Sequence, residues 1–119
     1  MTNAHQKYLE TSTLSASSHE LTTMLYTGAL KNLNLAKMNI VSKDVNKAHE
    51  HLIKAQNIIE KLRTTLDLRA GGDIAAGLDS LYEYMIYTLI NANMNKNIEL
   101  IEEVVGYVEE LRETWKQIK

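Results

Sequence analysis

Histidines and carboxylates are the residues of this 119-residue chain that could bind a metal or move a proton. In helical bundles, carboxylate-bridged metals are held by Glu-x-x-His on two helices, and no histidine here has a glutamate three residues before it. His49 and His51 are two residues apart, so on a helix their side chains point in different directions and cannot share an ion. The sequence therefore predicts no metal or other cofactor, and it predicts that both histidines are solvated residues of a polar face.

Other catalytic and ligand-binding signals are also missing from the sequence. The chain has no cysteine, no paired inward carboxylates and no Gly-rich phosphate loop, and Gly71-Gly72 alone indicates a turn. Its 13 basic and 15 acidic side chains give a net charge of −2 without a basic patch, which argues against nucleic-acid binding. No apolar run approaches the roughly 20 residues that would insert into a membrane. We expect a cytoplasmic protein that is not an enzyme.

The apolar residues are spaced as in helices along most of the chain, so any functional site would be built on helices. The sequence predicts an all-α fold, an antiparallel up-down-up-down four-helix bundle over residues 17–119, preceded by an extended N-terminal arm over residues 1–16. Tyr8 and Leu9 are the predicted anchors of the arm. Each helix carries one apolar seam with steps of three and four residues. The four seams are Thr22, Tyr26, Ala29, Leu33, Ala36 and Ile40; Val45, Ala48, Leu52, Ala55, Ile59, Leu62 and Leu66; Ala75, Leu78, Tyr82, Met85, Leu89 and Ala92; and Ile101, Val104, Val108, Leu111, Trp115 and Ile118.

Capping residues set the predicted ends of these helices. Ser17-Ser18-His19-Glu20 forms a capping box that starts the first helix, which should run to about residue 41. Ser42 or Asp44 caps the second helix, and Arg69-Ala70-Gly71-Gly72 ends it, because glycine permits a left-handed C-cap. Asp73 and Asn97 are the predicted caps of the third and fourth helices.

Apolar residues remain after the seams are assigned. They include Leu25 and Leu30 on the first helix, Ile53 and Ile58 on the second, and Leu81, Tyr84, Ile86 and Tyr87 on the third. We predict that the groove between the second and third helices binds a partner, although exposed amphipathic side chains are an equal reading for Tyr84 and Tyr87. A homodimer interface is the alternative use of this surplus surface.

Several short sequence blocks also occur along the chain in a characteristic order and spacing. They are Tyr8, Ala16-Ser17, Glu20-Leu21-Thr22, Met24-Leu25-Tyr26-Thr27-Gly28-Ala29-Leu30, Lys54-Ala55-Gln56-Asn57-Ile58-Ile59, Leu66-Asp67, Gly71-Gly72-Asp73-Ile74-Ala75, Leu81-Tyr82-Glu83-Tyr84-Met85, Ala92-Asn93, and Leu111-Arg112 with Trp115. Together they resemble the flagellin-specific export chaperones, the FliS family. The chain departs from the family pattern at Ser18, where proline is usual, at Thr27, where an acidic residue is usual, and at Asn97, where Asp is frequent.

The resemblance implies a helical bundle that binds newly made flagellin in the cytoplasm. In this family the chaperone holds the disordered C-terminal segment of flagellin, which becomes partly helical as it wraps around the bundle. Masking that segment prevents premature polymerisation, and the complex is then delivered to the flagellar export apparatus. The Tyr8–Leu9 arm is expected to fold over part of the groove when flagellin is absent.

Overall fold

The computed structural model describes residues 18–118, except for the side chains of Ser18, Leu68 and Ala70. Within this range the chain forms four helices: α1 (Ser18–Val41), α2 (Val45–Thr64), α3 (Leu68–Asn95) and α4 (Ile98–Gln117). The predicted arm with Tyr8 and Leu9, and the predicted cap at Ser17, lie outside the described residues. None of the four helices is long and apolar enough to span a membrane.

Contacts between helix ends show that neighbouring helices run antiparallel. His19, near the start of α1, contacts the backbone oxygen of Trp115 near the end of α4. Arg63, near the end of α2, pairs with Asp79 in the first half of α3. α1 and α3 each lie against α2 and α4, so the two pairs occupy opposite corners. The predicted all-α four-helix bundle is confirmed.

The predicted seams form the core. Helical spacing brings these residues to one face of each helix, where burial removes their apolar surface from water. The seam residues whose side chains are buried are Thr22, Tyr26, Ala29, Leu33, Ala36, Ala48, Leu52, Ala55, Ile59, Leu62, Ala75, Tyr82, Met85, Leu89, Ala92, Ile101, Val104 and Val108. Exposure is confined to the seam ends: Val45 and Ile118 are both more than half exposed.

The turn between α1 and α2 uses one residue for two purposes. The N–H of Asp44 donates to the oxygen of Asn39 (2.8 Å) and the N–H of Lys43 to that of Ile40 (3.0 Å), which is a Schellman motif. Lys43 adopts the left-handed conformation, with φ of 63°. Asp44 then caps α2, because its Oδ1 accepts a hydrogen bond from the N–H of Lys47 at 3.1 Å. Of the two predicted caps, the structure uses Asp44.

The turn between α3 and α4 repeats this arrangement. The N–H of Asn97 donates to the oxygen of Ala92 (2.9 Å), and Lys96 is left-handed with φ of 52°. Asn97 caps α4 by accepting a hydrogen bond from the N–H of Leu100 at 3.2 Å, as predicted.

The boundary between α2 and α3 differs from the prediction. α2 ends at Thr64, not at residues 69–72, and α3 begins at Leu68, before Asp73. At the end of α2, the hydroxyl groups of Thr64 and Thr65 each donate a hydrogen bond to the backbone oxygen three residues earlier. Gly72 does adopt a positive φ (54°), but with ψ of −134° it kinks α3 instead of closing α2.

Candidate protein-binding surface

α3 leaves large apolar side chains in water although it is the longest helix. Ile74, Tyr84, Tyr87, Ile90 and Met94 are all exposed, and Ile74 and Met94 are each about three-quarters exposed (77% and 74%). α3 also lies less closely against α2 and α4 than α1 does. Where exposed apolar side chains of this kind are contiguous, they are typical of a surface that binds another protein.

Part of this surface forms a groove of about 310 Å³ between α2 and α3. Ile53 of α2 and Ile90 and Met94 of α3 supply its apolar wall. Gln56 also lines it, and its Oε1 is buried without a hydrogen-bond partner among the described residues. The groove can therefore receive an apolar side chain, with one polar group placed beside it.

Polar side chains fix the two ends of the α2–α3 pair. At one end, Nδ2 of Asn93 and Nδ1 of His49 lie 2.9 Å apart, and Nζ of Lys96 donates to Oδ1 of Asn93 at 2.7 Å. At the other end, Arg63 donates to both carboxylate oxygens of Asp79 at 3.0 and 3.4 Å. The hydrogen bond to Asp79 is the main cause that raises the pKa of Arg63. The apolar wall of the groove thus lies between two sets of polar contacts, one at each end of the helix pair.

Tyr84 belongs to the other side of α3. Its hydroxyl donates to Oε2 of Glu103 on α4 at 2.7 Å, and the hydroxyl of Tyr107 donates to the same oxygen at 3.1 Å. The two rings meet edge to face, with centroids 6.2 Å apart. Hydrogen bonding to the carboxylate raises the pKa of both hydroxyls.

Comparison with known proteins decides the family. The family model described as "Flagellar protein FliS" matches residues 1–119. The chain is 39% identical over 115 residues to the flagellar secretion chaperone FliS of Bacillus subtilis strain 168, covering 97% of this chain and 85% of that protein. It is 42% identical over 114 residues to the chaperone of the same name from Salmonella typhimurium strain LT2, covering 95% and 84%.

The chain belongs to the FliS family. It is also 34% identical over 116 residues to the flagellar secretion chaperone FliS of Vibrio cholerae, covering 97% of this chain and 85% of that protein. The names of these relatives describe chaperones, and no catalytic family is indicated. The resemblance inferred from the sequence is therefore confirmed at the level of the family.

Two residues predicted to belong to this FliS-family chain's surplus surface lie elsewhere. Leu30 is 5% exposed and belongs to the core, so the prediction that it belongs to the surplus surface is wrong. Ile58 was predicted in the α2–α3 groove, but its Cδ1 lies 3.5 Å from the position that a Cβ on Gly28 of α1 would occupy. Ile58 thus packs, partly buried, between α2 and α1, on the side away from α3.

The other predicted residues divide among three surfaces. Ile53 lines the α2–α3 groove, Tyr84 faces α4, and Tyr87 points outward at 63% exposure. The remaining predicted residues are partly buried and pack against the core; they are Leu25, Leu81 and Ile86.

Ile90 and Met94 are the apolar groove residues absent from the predicted site. A signal for them was present, because Ile86, Ile90 and Met94 recur every four residues and must share one stripe of α3. Four-residue spacing alone does not say which neighbouring helix that stripe faces. The groove with Ile53 supplies that information.

Proposed function

We propose that this chain binds the disordered C-terminal segment of flagellin in the cytoplasm, prevents its premature polymerisation and hands it to the flagellar type III export apparatus. The observation that carries this proposal is the exposed apolar surface of α3. Membership of a family whose relatives are named flagellar secretion chaperones supports it. The chain acts by binding alone.

The energetics of coupled folding explain why such a surface would be needed. Ordering a disordered segment costs about 2–5 kcal/mol, which must be offset by a broad apolar contact. Amphipathic helices meet this requirement by laying side chains spaced three or four residues apart into an apolar groove. Ile53, Ile90 and Met94 offer the wall for such anchors, and Tyr87 extends the apolar surface outward along α3.

The polar groups of the groove give the bound segment an orientation. Gln56 lines the groove, and its buried, unpaired Oε1 can accept a hydrogen bond from the segment once the side chain turns outward. An unsatisfied buried acceptor costs about 1–3 kcal/mol, so its pairing favours the complex. Lys96, at the C-terminal end of α3, adds a positive charge to one end of the groove.

The test compares two forms of flagellin. Calorimetric titration of the purified chain should give binding to full-length flagellin and none to flagellin lacking its C-terminal forty or so residues, a truncation of the size that coupled folding requires. Equal binding to both forms, or to neither, would refute the proposal.

Matched variants locate the surface. Ile90→Glu should weaken flagellin binding at least tenfold, corresponding to about 1.4 kcal/mol. Met38→Glu should not, because Met38 is exposed on α1 and lines a different pocket, beside Ile98 of α4. Circular dichroism should show both variants folded. A similar loss of flagellin binding in both variants would mean that the α2–α3 groove is not the binding site.

Sedimentation addresses the homodimer alternative. A tight dimer that flagellin does not dissociate would favour a structural role for the surplus surface, and a monomer that forms a complex with flagellin would support the chaperone.

A further inference from the structure

A second apolar groove lies between α1 and α4, on the face of the bundle opposite the α2–α3 groove. The two faces are opposite because α1 and α3 each lie against both α2 and α4. This α1–α4 groove has a volume of about 570 Å³ and lies near the α1–α2 turn and the start of α4. Met38 and Val41 of α1 and Ile98 of α4 supply its apolar lining.

Much of that apolar lining is in water. Met38 and Val41 are 65% and 74% exposed. They are three residues apart on α1, so they are neighbours on its surface, and Ile98 lies across the groove from them. A partner that covered these three side chains would remove their apolar area from water, which favours binding.

The two walls of the α1–α4 groove carry opposite charges. Lys37 lies on the α1 wall and Glu102 on the α4 wall, and every other described residue that lines the groove is uncharged. Although both side chains line the same groove, neither forms an ion pair with any residue that the structure describes. The groove therefore offers a partner one cation and one anion, on opposite sides of an apolar strip.

This distribution of charge is complementary to a second copy of the same face. In a two-fold dimer, residue i of one copy contacts residue j of the other, and j contacts i. A two-fold axis that runs along the groove places α1 of each copy over α4 of the other copy. Lys37 of each copy then meets Glu102 of the other copy, and Met38 and Val41 meet Ile98. A partner with charge of one sign would satisfy only one wall.

We propose that the α1–α4 groove binds a second copy of this chain in a two-fold dimer, with two Lys37–Glu102 pairs across the interface. Each copy contributes one groove, so the interface belongs to the class below about 1,200 Å² that is typical of weak and transient complexes. The α2–α3 groove of each copy stays open to a client. The dimer thus differs from a homodimer that would occupy the α2–α3 groove, and it does not depend on the proposed function.

Reversed charges test the pairing. Sedimentation velocity from about 1 µM to about 1 mM covers the affinities of weak complexes and should show the dimer forming as the concentration rises. Lys37→Glu places acidic groups opposite each other and Glu102→Lys places basic groups opposite each other, so each variant should raise the dimer Kd at least about tenfold. An equimolar mixture of the two variants should restore the dimer, because each copy supplies the charge that the other copy needs.

The mixture distinguishes pairing between copies from pairing within one copy. In either single variant, the two walls of a copy carry charges of the same sign. Mixing therefore restores no contact within a copy, and recovery of the dimer reports a contact across the interface. Both substitutions are made at the protein surface, and the recovered dimer would also show that both variants are folded.

Two methionines distinguish the α1–α4 groove from the α2–α3 groove. Met38 lines the first and Met94 the second, and the two side chains are similarly exposed, at 65% and 74%. Met38→Glu should abolish the dimer, whereas Met94→Glu should leave the dimer Kd unchanged. Because flagellin is absent from this measurement, its result stands whether or not the chain binds flagellin.

Three results would overturn the inference. They are a wild-type chain that stays monomeric up to about 1 mM, a mixture of the two charge variants that dimerises no better than either variant alone, and a dimer that Met94→Glu disrupts but Met38→Glu does not.

Discussion

The hydroxyl of Tyr26 on α1 and the hydroxyl of Tyr82 on α3 lie 2.5 Å apart, joining two helices at opposite corners of the bundle. Both rings are buried, and the Tyr26 ring also meets Trp115 of α4 in a T-shaped arrangement, with centroids 6.2 Å apart. Three helices thus meet at one aromatic cluster, in which the two tyrosines form a buried polar pair and Trp115 is partly buried. Such a pair specifies which helices face each other more strongly than apolar packing alone.

Alkaline pH should destabilise the protein through this pair. Burial raises the pKa of both hydroxyls above the ordinary value of 10.0. The unfolded chain then loses these protons at lower pH than the folded chain, so stability is fully present below about pH 10 and falls as pH rises above it. The slope should be up to about 1.4 kcal/mol per pH unit for each tyrosine.

Urea denaturation between pH 8 and pH 11 would measure this loss. The double variant Tyr26→Phe/Tyr82→Phe should show a much flatter alkaline limb, and Tyr87→Phe, an exposed control, should follow the wild type. If the free energy of unfolding fell equally with pH in all three proteins, the buried tyrosine pair would not be the cause of the alkaline loss of stability.

Introducing glutamate at two isoleucines of α2 should separate core from surface. Ile58→Glu places a charge in the partly buried contact with α1 beside Gly28 and should lower the free energy of unfolding by about 2–3 kcal/mol. Ile53→Glu lies at the groove surface and should change stability by less than about 0.5 kcal/mol while weakening flagellin binding. Urea midpoints give the first comparison and titration with flagellin the second. Equal stability losses would mean that Ile58 is not held against α1.

Alanine at two glycines of α3 should act in opposite directions. A Cβ at Gly72 or Gly77 would meet no atom within 4 Å, so only the backbone distinguishes them. Gly72→Ala should destabilise by about 1–3 kcal/mol, because φ of 54° with ψ of −134° is essentially confined to glycine. Gly77→Ala should stabilise by about 0.5–1 kcal/mol, since it lies inside a helix. Thermal unfolding of both variants checks the signs, and a stabilised Gly72→Ala would argue against the kink.

Glycine at one lysine of the α1–α2 turn should stabilise the protein. Lys43 is left-handed, a conformation that costs a residue with a side chain more than it costs glycine. Lys43→Gly should therefore add about 0.5–1 kcal/mol. Lys54→Gly, the same exchange inside α2, should instead cost about 1 kcal/mol. Urea midpoints that shift in the same direction for both variants would contradict the left-handed assignment.

The seams were predictable because helical periodicity states directly which residues share a face. Tyr26, Leu52, Met85 and Val104 follow that pattern, and all four are fully buried. Both tight turns were predictable as well, since Asp44 and Asn97 are strong caps. Lys43 and Lys96 carry no sequence signal for the left-handed conformation, because glycine is the usual residue there.

Residues beside the seams were harder to place, because a single helix does not reveal its neighbours. Leu30 and Ile58 lie only slightly off their seams, and the distances to the neighbouring helices decide whether such residues are buried. Ile53 was assigned to the α2–α3 groove, and it lies there because it is on the flank of α2 that carries His49 and Arg63 toward α3. The sequence likewise does not show how α3 continues across the Gly72 kink.

The double use of Asp44 and Asn97 has a mechanical consequence. Each residue closes the motif that ends one helix and caps the next helix, so the turn contains no spare residue. One residue inserted there would rotate the following helix by about 100° about its axis, since a turn contains 3.6 residues. A single-codon insertion after Ser42 would thus turn the whole buried seam of α2 toward solvent, whereas the wider connection at residues 65–67 has room to absorb one.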